Sequence, residues 1–157
     1  MRDLPESERL NSCKKIIMFE KDESMRWDAV WLVGEIASNA LSKNNKELFG
    51  ETVDLMAWVL KNDNNGVVKH EACYQIAARN MRENIPELIS ASLQDDSVLT
   101  RHEALESLGL MRAVDTIDVI NDALNDPSLD VRETAHFVLK RLRRMKKLGS
   151  YNPSSVP

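Results

Sequence analysis

Apolar residues recur along the chain with the spacing of amphipathic helices. In the two clearest segments they stand three or four positions apart: Val67, Val68, Ala72, Ile76 and Ala77 in the first, and Ala104, Leu105, Leu108 and Met111 in the second. A shorter amphipathic segment precedes each of these, and residues of turn chemistry at 94–97 and 125–128 separate the segments. The pattern predicts pairs of helices joined by tight turns.

The pairs repeat. A basic residue stands three positions before an alanine in four segments, with the basic residues at Arg26, Lys69, Arg101 and Arg132. The steps between them are 43, 32 and 31 residues, and the polar stretch 38–46 accounts for the long first step. With 9–19 as a first outer helix, the chain is predicted to form four pairs, or eight helices. Such pairs cannot bury their apolar faces alone, so an all-α solenoid follows.

The helix boundaries and the domain limits follow from the same pattern. Asn84 is predicted to cap a helix that has an early proline, Pro86, and residues 115–124 are predicted to form a helix of their own. The repeat domain is predicted to span 1–148. The Ser- and Pro-rich segment 149–157 is expected to be a flexible tail.

The composition favours helices and gives no reason to expect a nucleic-acid or membrane partner. Of the 157 residues 43% are hydrophobic and 29% charged, with five glycines and five prolines. A net charge of -4 gives no reason to expect a nucleic-acid partner, and the basic run 140–147 is ascribed to the favourable end of a helix dipole. No apolar run suits a membrane span or a signal core, and Cys13 and Cys73 fit no metal or redox spacing. A cytoplasmic protein is expected.

Two histidines occupy equivalent positions in successive repeats. His70 and His102 are each followed by a glutamate, Glu71 and Glu103. Stacked helices lie about 8–10 Å apart, so these four side chains are expected to converge. Imidazole nitrogen and carboxylate oxygen without thiolate suit iron or manganese better than structural zinc.

Each His-Glu pair also has an ordinary explanation. A glutamate in the first turn of a helix is favoured by the dipole whatever its function, and repeats duplicate residues. Duplication alone, however, does not explain why the outer repeats carry Trp-Asp at 27–28 and Glu-Thr at 133–134 in the same slot.

Several of these segments resemble one enzyme family. Residues 69–74 (KHEACY), 85–88 (IPEL), 93–95 (LQD) and 101–109 (RHEALESLG) resemble deoxyhypusine hydroxylase, and the similarity continues through 131–136 (VRETAH) and 139–142 (LKRL). The resemblance implies a solenoid of HEAT-like repeats, of the type also found in phycobilisome lyases, and a di-iron centre held by His-Glu motifs. It also implies O2-dependent hydroxylation of deoxyhypusine, a modified lysine on a translation initiation factor.

The chain departs from the family in its length. The family has two such halves in tandem and four His-Glu motifs, whereas this chain has one half and two motifs, and 151–157 resembles the start of the linker between the halves. A two-fold homodimer would present the same patch twice. By the resemblance, His70, His102 and Glu103 bind one iron and Glu71 reaches toward the other, so two irons are expected to be shared across the dimer.

Other functions remain open. The chain is alternatively a non-catalytic HEAT-repeat adaptor that binds a protein partner on its concave face. A lyase or chaperone that attaches bilin pigments is disfavoured, because it does not explain the two His-Glu pairs. Manganese or zinc in place of iron, and a heterodimer with a second half-length chain, also remain open.

The other side chains near the motifs carry weaker signals. Tyr74 borders the metal pocket or belongs to the core. An acidic rim would steer a cationic substrate, although each of its members is better explained as solvated surface. His136 is expected to be a packing or surface residue, and the tryptophans are expected in the core or a dimer interface. The rim residues are Glu83, Glu87, Asp95, Asp96 and Glu106, and the tryptophans are Trp27, Trp31 and Trp58.

Overall fold

The helical pattern is realised as four stacked helix pairs. The computed structural model describes residues 5–148, and within them eight α-helices and no strand are present. The helices are α1 (Glu6–Phe19), α2 (Glu23–Ser42), α3 (Lys46–Asn62), α4 (Gly66–Ala78), α5 (Ile85–Gln94), α6 (Val98–Leu110), α7 (Ile117–Ile120) and α8 (Leu129–Lys147). The predicted all-α repeat architecture is confirmed. The predicted tail, 149–157, lies outside the described residues.

The helices form two layers. One, which we call the inner layer, holds α2, α4, α6 and α8 side by side, and α1, α3, α5 and α7 form the outer layer. Fully buried side chains from both layers make one continuous core, among them Val33, Met56, Ile76, Leu108 and Leu139. No repeat therefore buries its apolar face without its neighbours.

The periodic basic residue links each repeat to the next. Arg26, Lys69 and Arg101 form ion pairs of 2.9, 2.8 and 2.8 Å with an aspartate in the turn of the following pair. Each aspartate also accepts a hydrogen bond from the backbone N–H two residues later, at 2.8 to 2.9 Å. The repeated basic slot is therefore structural, and its partners are Asp63, Asp95 and Asp126.

The pKa of Asp126 shows that such an ion pair favours the ionised carboxylate. Burial alone would raise the pKa of this carboxyl, but hydrogen bonds from the Arg101 side chain and the Ser128 N–H outweigh burial, so the pKa lies below its ordinary value. Both side chains of the pair are mostly buried, with 12% of Arg101 and 5% of Asp126 exposed.

Three local predictions were wrong in detail. Residues 115–124 do not form one helix, because α7 is a single turn flanked by 3-10 segments at Val114–Thr116 and Asn121–Asn125. Asn84 stands at the N-cap position of α5, as predicted, but its side chain makes no capping hydrogen bond, since its amide donates to the Val53 carbonyl at 2.9 Å. The polar stretch 38–46, which lengthens the first repeat, lies largely at the end of α2 and the start of α3. These helices have 20 and 17 residues, so α3 is longer than α4, whereas a shorter helix was expected before α4.

Within residues 5–148, no helix combines the length and the apolar character needed to cross a bilayer.

Candidate metal centre

Side-chain caps place the two His-Glu pairs in register. The Asn65 side chain accepts hydrogen bonds from the N–H groups of Val67 and Val68 at 2.9 and 3.1 Å, which starts α4 at Gly66. The Ser97 hydroxyl accepts from the Thr100 N–H at 3.2 Å and starts α6 at Val98. Each histidine is thus the fifth residue of its helix, and α4 and α6 are neighbours in the inner layer.

One contact joins the two motifs directly. His70 Nε2 lies 3.0 Å from Glu103 Oε2, so the histidine of one repeat meets the glutamate of the next. The imidazole is 32% exposed and the carboxylate side chain 9% exposed. The predicted convergence of these two residues is therefore present in the structure.

A second group of potential ligands lies within α6. One donor atom from each of His102, Glu103 and Glu106 falls within 4.8 Å of the others, and His102 Nε2 is 3.3 Å from Glu106 Oε1. Sequence reasoning treated Glu106 only as an acidic surface residue. The signal was available, because Glu106 follows His102 by four positions and so lies one helical turn away on the same face.

Glu71, the fourth predicted ligand, is held differently. It is buried and accepts a hydrogen bond from Gln75 Nε2 at 2.9 Å. Gln75 itself occupies space left by Gly34 of α2, where an added Cβ would collide with Gln75 Oε1. Glu71 is not one of the three clustered donors, but its charge contributes to the raised pKa of Glu103.

The clustered carboxylates of the site would be stabilised by a cation. Burial, together with the charges of Glu106 and Glu71, raises the pKa of Glu103 to about 7 against the opposing effect of His102. Among the ion pairs of residues 5–148, Glu103 and Glu106 pair with histidine rather than with lysine or arginine. A bound divalent ion would offset the repulsion between these carboxylates, and two imidazoles with carboxylates form a donor set that iron or manganese accepts.

Exposed apolar side chains lie on the same inner-layer helices as this site and on their inner-layer neighbours. Phe137 is 68% exposed and Tyr74 is 50% exposed. Tyr74 stands four residues after His70, so it borders the site rather than entering the core. The further exposed members of this set, which we call the apolar face, are Trp31, Val67, Leu99 and Leu110.

Of the remaining aromatic residues and histidine, some pack against the core and others are exposed. Trp27 and Trp58 pack against the core as expected, whereas Trp31 is 44% exposed. His136 is exposed on α8 and is not one of the three clustered donors.

Comparison with known proteins identifies the repeats. A family model of HEAT repeats matches residues 53–140, which is more than half of the chain. The chain belongs to the HEAT repeat family. Both His-Glu motifs lie within the matched HEAT repeats.

Several proteins of similar sequence are deoxyhypusine hydroxylases. The chain is 34% identical over 97 residues to deoxyhypusine hydroxylase of Arabidopsis thaliana, an alignment of 60% of this chain and 31% of that protein. It is 28% identical over 106 residues to deoxyhypusine hydroxylase of Homo sapiens, covering 65% of this chain and 34% of the human protein. The resemblance found in the motifs is confirmed.

A solved structure shares the fold. The structure of human deoxyhypusine hydroxylase in complex with glycerol superposes with a TM-score of 0.72 at 19% identity, over 94% of this chain and 48% of that one. By sequence, the chain thus spans about a third of the length of these two curated relatives, and by structure about half the length of the solved chain.

Proposed function

We propose that this chain is a di-iron, O2-dependent monooxygenase of the deoxyhypusine hydroxylase type. The observation that carries the proposal is the contact between His70 and Glu103 beside the His102–Glu106 pair, in a chain similar to deoxyhypusine hydroxylases. The substrate we propose is the deoxyhypusine side chain of a translation initiation factor.

The metal ligands would come from two adjacent helices. His70, His102 and Glu103 would hold one iron through imidazole nitrogen and carboxylate oxygen, and Glu71 would serve the other iron. Glu106 joins the candidates because its carboxylate lies beside His102. Iron bound there would supply the activation of oxygen that hydroxylation of a C–H bond requires. The chain's own side chains would hold the substrate and exclude water.

A second copy of the chain would complete the site. One chain offers two histidines and a few carboxylates to a pair of irons, whereas a two-fold dimer doubles that set. The apolar face supports this arrangement, because its exposed side chains lie on the inner-layer helices that carry the ligand set or adjoin it, and a second copy would cover them. We therefore infer a homodimer with one iron per chain.

The substrate would enter beside the exposed members of the site. Deoxyhypusine carries a long chain with amines that are cationic at neutral pH, and a carboxylate at the rim attracts such a chain. Glu106 is 47% exposed at its side chain and stands at this rim. Tyr74, half exposed on α4, offers an apolar edge for the methylene segments.

Three histidine variants test the proposal. His70→Ala and His102→Ala are expected to lose iron and hydroxylation of a deoxyhypusine-bearing initiation factor, whereas His136→Ala should retain both because it lies outside the site. Iron content, hydroxylated product and oligomeric state are measured on each protein. Equal iron in all three variants would contradict the site. An iron-free, monomeric wild-type chain would favour the adaptor function instead.

A further inference from the structure

The histidine of each His-Glu pair contacts the same position of the following repeat. His70 reaches Glu103, and His102 reaches Thr134, the residue that occupies the glutamate position in the fourth repeat. The two contacts differ in the ring nitrogen that makes them. His70 uses Nε2 toward a carboxylate, and His102 uses Nδ1 toward a hydroxyl.

The hydroxyl of Thr134 has its own proton committed elsewhere. Thr134 Oγ1 donates to the backbone carbonyl of Asp130 at 2.8 Å, one turn earlier in α8. A hydroxyl carries one proton, so toward His102 this oxygen acts as an acceptor. The Nδ1–Oγ1 distance of 2.7 Å is that of a strong hydrogen bond, which requires the proton to be on Nδ1.

The other nitrogen of the same ring faces the ligand cluster. His102 Nε2 lies 3.3 Å from Glu106 Oε1, and His102 is the residue that clusters with Glu103 and Glu106. With Nδ1 protonated, the neutral ring keeps a lone pair on Nε2, the form in which an imidazole coordinates a metal. A partner on the far side of a ligating histidine fixes both its tautomer and its orientation.

We propose that Thr134 is a positioning residue that holds His102 in the Nδ1–H tautomer and thereby presents the Nε2 lone pair to Glu103 and Glu106. Its use in metal binding rests on the proposed function. The fourth repeat therefore contributes to the site although it has no His-Glu pair. Thr134 is half-buried, so replacing its hydroxyl by a methyl group in Thr134→Val removes the hydrogen bond while keeping the volume.

The tautomer can be measured without metal. The chain has three histidines, so long-range proton–nitrogen NMR spectra of the 15N-labelled, chelator-treated protein show three imidazoles, assigned with the His70→Ala and His136→Ala variants. At about pH 8, where an ordinary imidazole is neutral, His102 should be the Nδ1–H tautomer in the wild type. It should lose that preference in Thr134→Val and regain it in Thr134→Ser.

Metal affinity supplies the second readout. Titration with Fe2+ under anaerobic conditions should show affinity lowered about 10- to 100-fold in Thr134→Val, as expected for loss of a partner behind a ligating histidine, and restored in Thr134→Ser. Thr52→Val is the matched control, because among residues 5–148 its hydroxyl bonds only to the Phe49 carbonyl within α3, a helix that carries none of the proposed ligands. This control should leave affinity unchanged.

The possible failures are distinguishable. A wild-type His102 protonated on Nε2 and donating to Glu106, or an unchanged tautomer in Thr134→Val, would overturn the role of Thr134. A correct tautomer in a wild-type chain that binds no Fe2+ would refute the proposed function and leave the Thr134 contact intact. If Thr134→Val fails to fold, the wild-type and Thr134→Ser spectra still decide the tautomer.

Discussion

Replacing Glu103 by glutamine should stabilise the metal-free chain at pH 8. Burial, with the charges of Glu106 and Glu71, raises the pKa of Glu103 from 4.5 to about 7. One pKa unit corresponds to about 1.4 kcal/mol, so the ionised carboxylate costs the folded state about 3 kcal/mol relative to the unfolded chain. Glutamine removes that charge while keeping the shape and an oxygen that can accept from His70.

The sign of the pH dependence follows from the raised pKa. Between pH 4.5 and about 7 the folded chain binds more protons at Glu103 than the unfolded chain does, so stability falls as pH rises through this window. The Glu103→Gln variant does not lose stability in this way, because glutamine does not ionise. Its advantage over the wild type should be less than about 1 kcal/mol at pH 5 and about 3 kcal/mol at pH 8.

Urea unfolding of the chelator-treated proteins, followed by circular dichroism, measures this difference. Glu51→Gln is the matched control, since Glu51 is exposed on α3, and it should change stability little at either pH. Saturating iron should reverse the order, because the metal stabilises only the chain that retains the carboxylate. Equal stability of Glu103→Gln and wild type at pH 8, or an equal gain at both pH values, would refute the reasoning.

Four further variants test the fold and the site. Asp126→Ala removes the partner of the mostly buried Arg101 and should lower the free energy of unfolding by about 3–5 kcal/mol. Lys61→Ala breaks the more exposed ion pair with Glu87 and should lower it by less than about 1 kcal/mol. Urea unfolding measures both changes. Gly34→Ala would collide with Gln75 and should cost about 1–3 kcal/mol in the same assay. Glu106→Gln should weaken Fe2+ binding in a titration, and in the metal-free chain at pH 8 it should raise the unfolding midpoint slightly, because it removes a charge that raises the pKa of Glu103.

The sequence predicted the repeat architecture because helical periodicity and turn residues are local signals. It failed at 115–124, where apolar spacing over ten residues does not distinguish α-helical from 3-10 turns, and packing against α8 decides the outcome. It placed Asn84 correctly at the start of α5 but missed its side-chain contact, because the Asn84 amide donates to the Val53 carbonyl of α3 instead of capping its own helix. A partner from another repeat cannot be read from spacing alone.

The site was predictable to the extent that it follows the repeat. Equivalent positions put His70 and His102 on neighbouring inner helices, and the contact of His70 with Glu103 follows from that register. Thr134 was noted only as an interruption of the His-Glu pattern, because its hydrogen bond to His102 depends on how the fourth repeat stacks on the third. Glu106 was judged by its charge and exposure rather than by its distance of one turn from His102.

Iron content measured together with particle mass tests the central claim most directly. Native mass spectrometry of the purified, iron-reconstituted chain, with His136→Ala and His102→Ala beside it, reports both quantities on one sample. The account predicts a dimer with two irons for the wild type and for His136→Ala, and an iron-free chain for His102→Ala. A monomer that holds two irons, or a wild-type chain that takes up none, would contradict it.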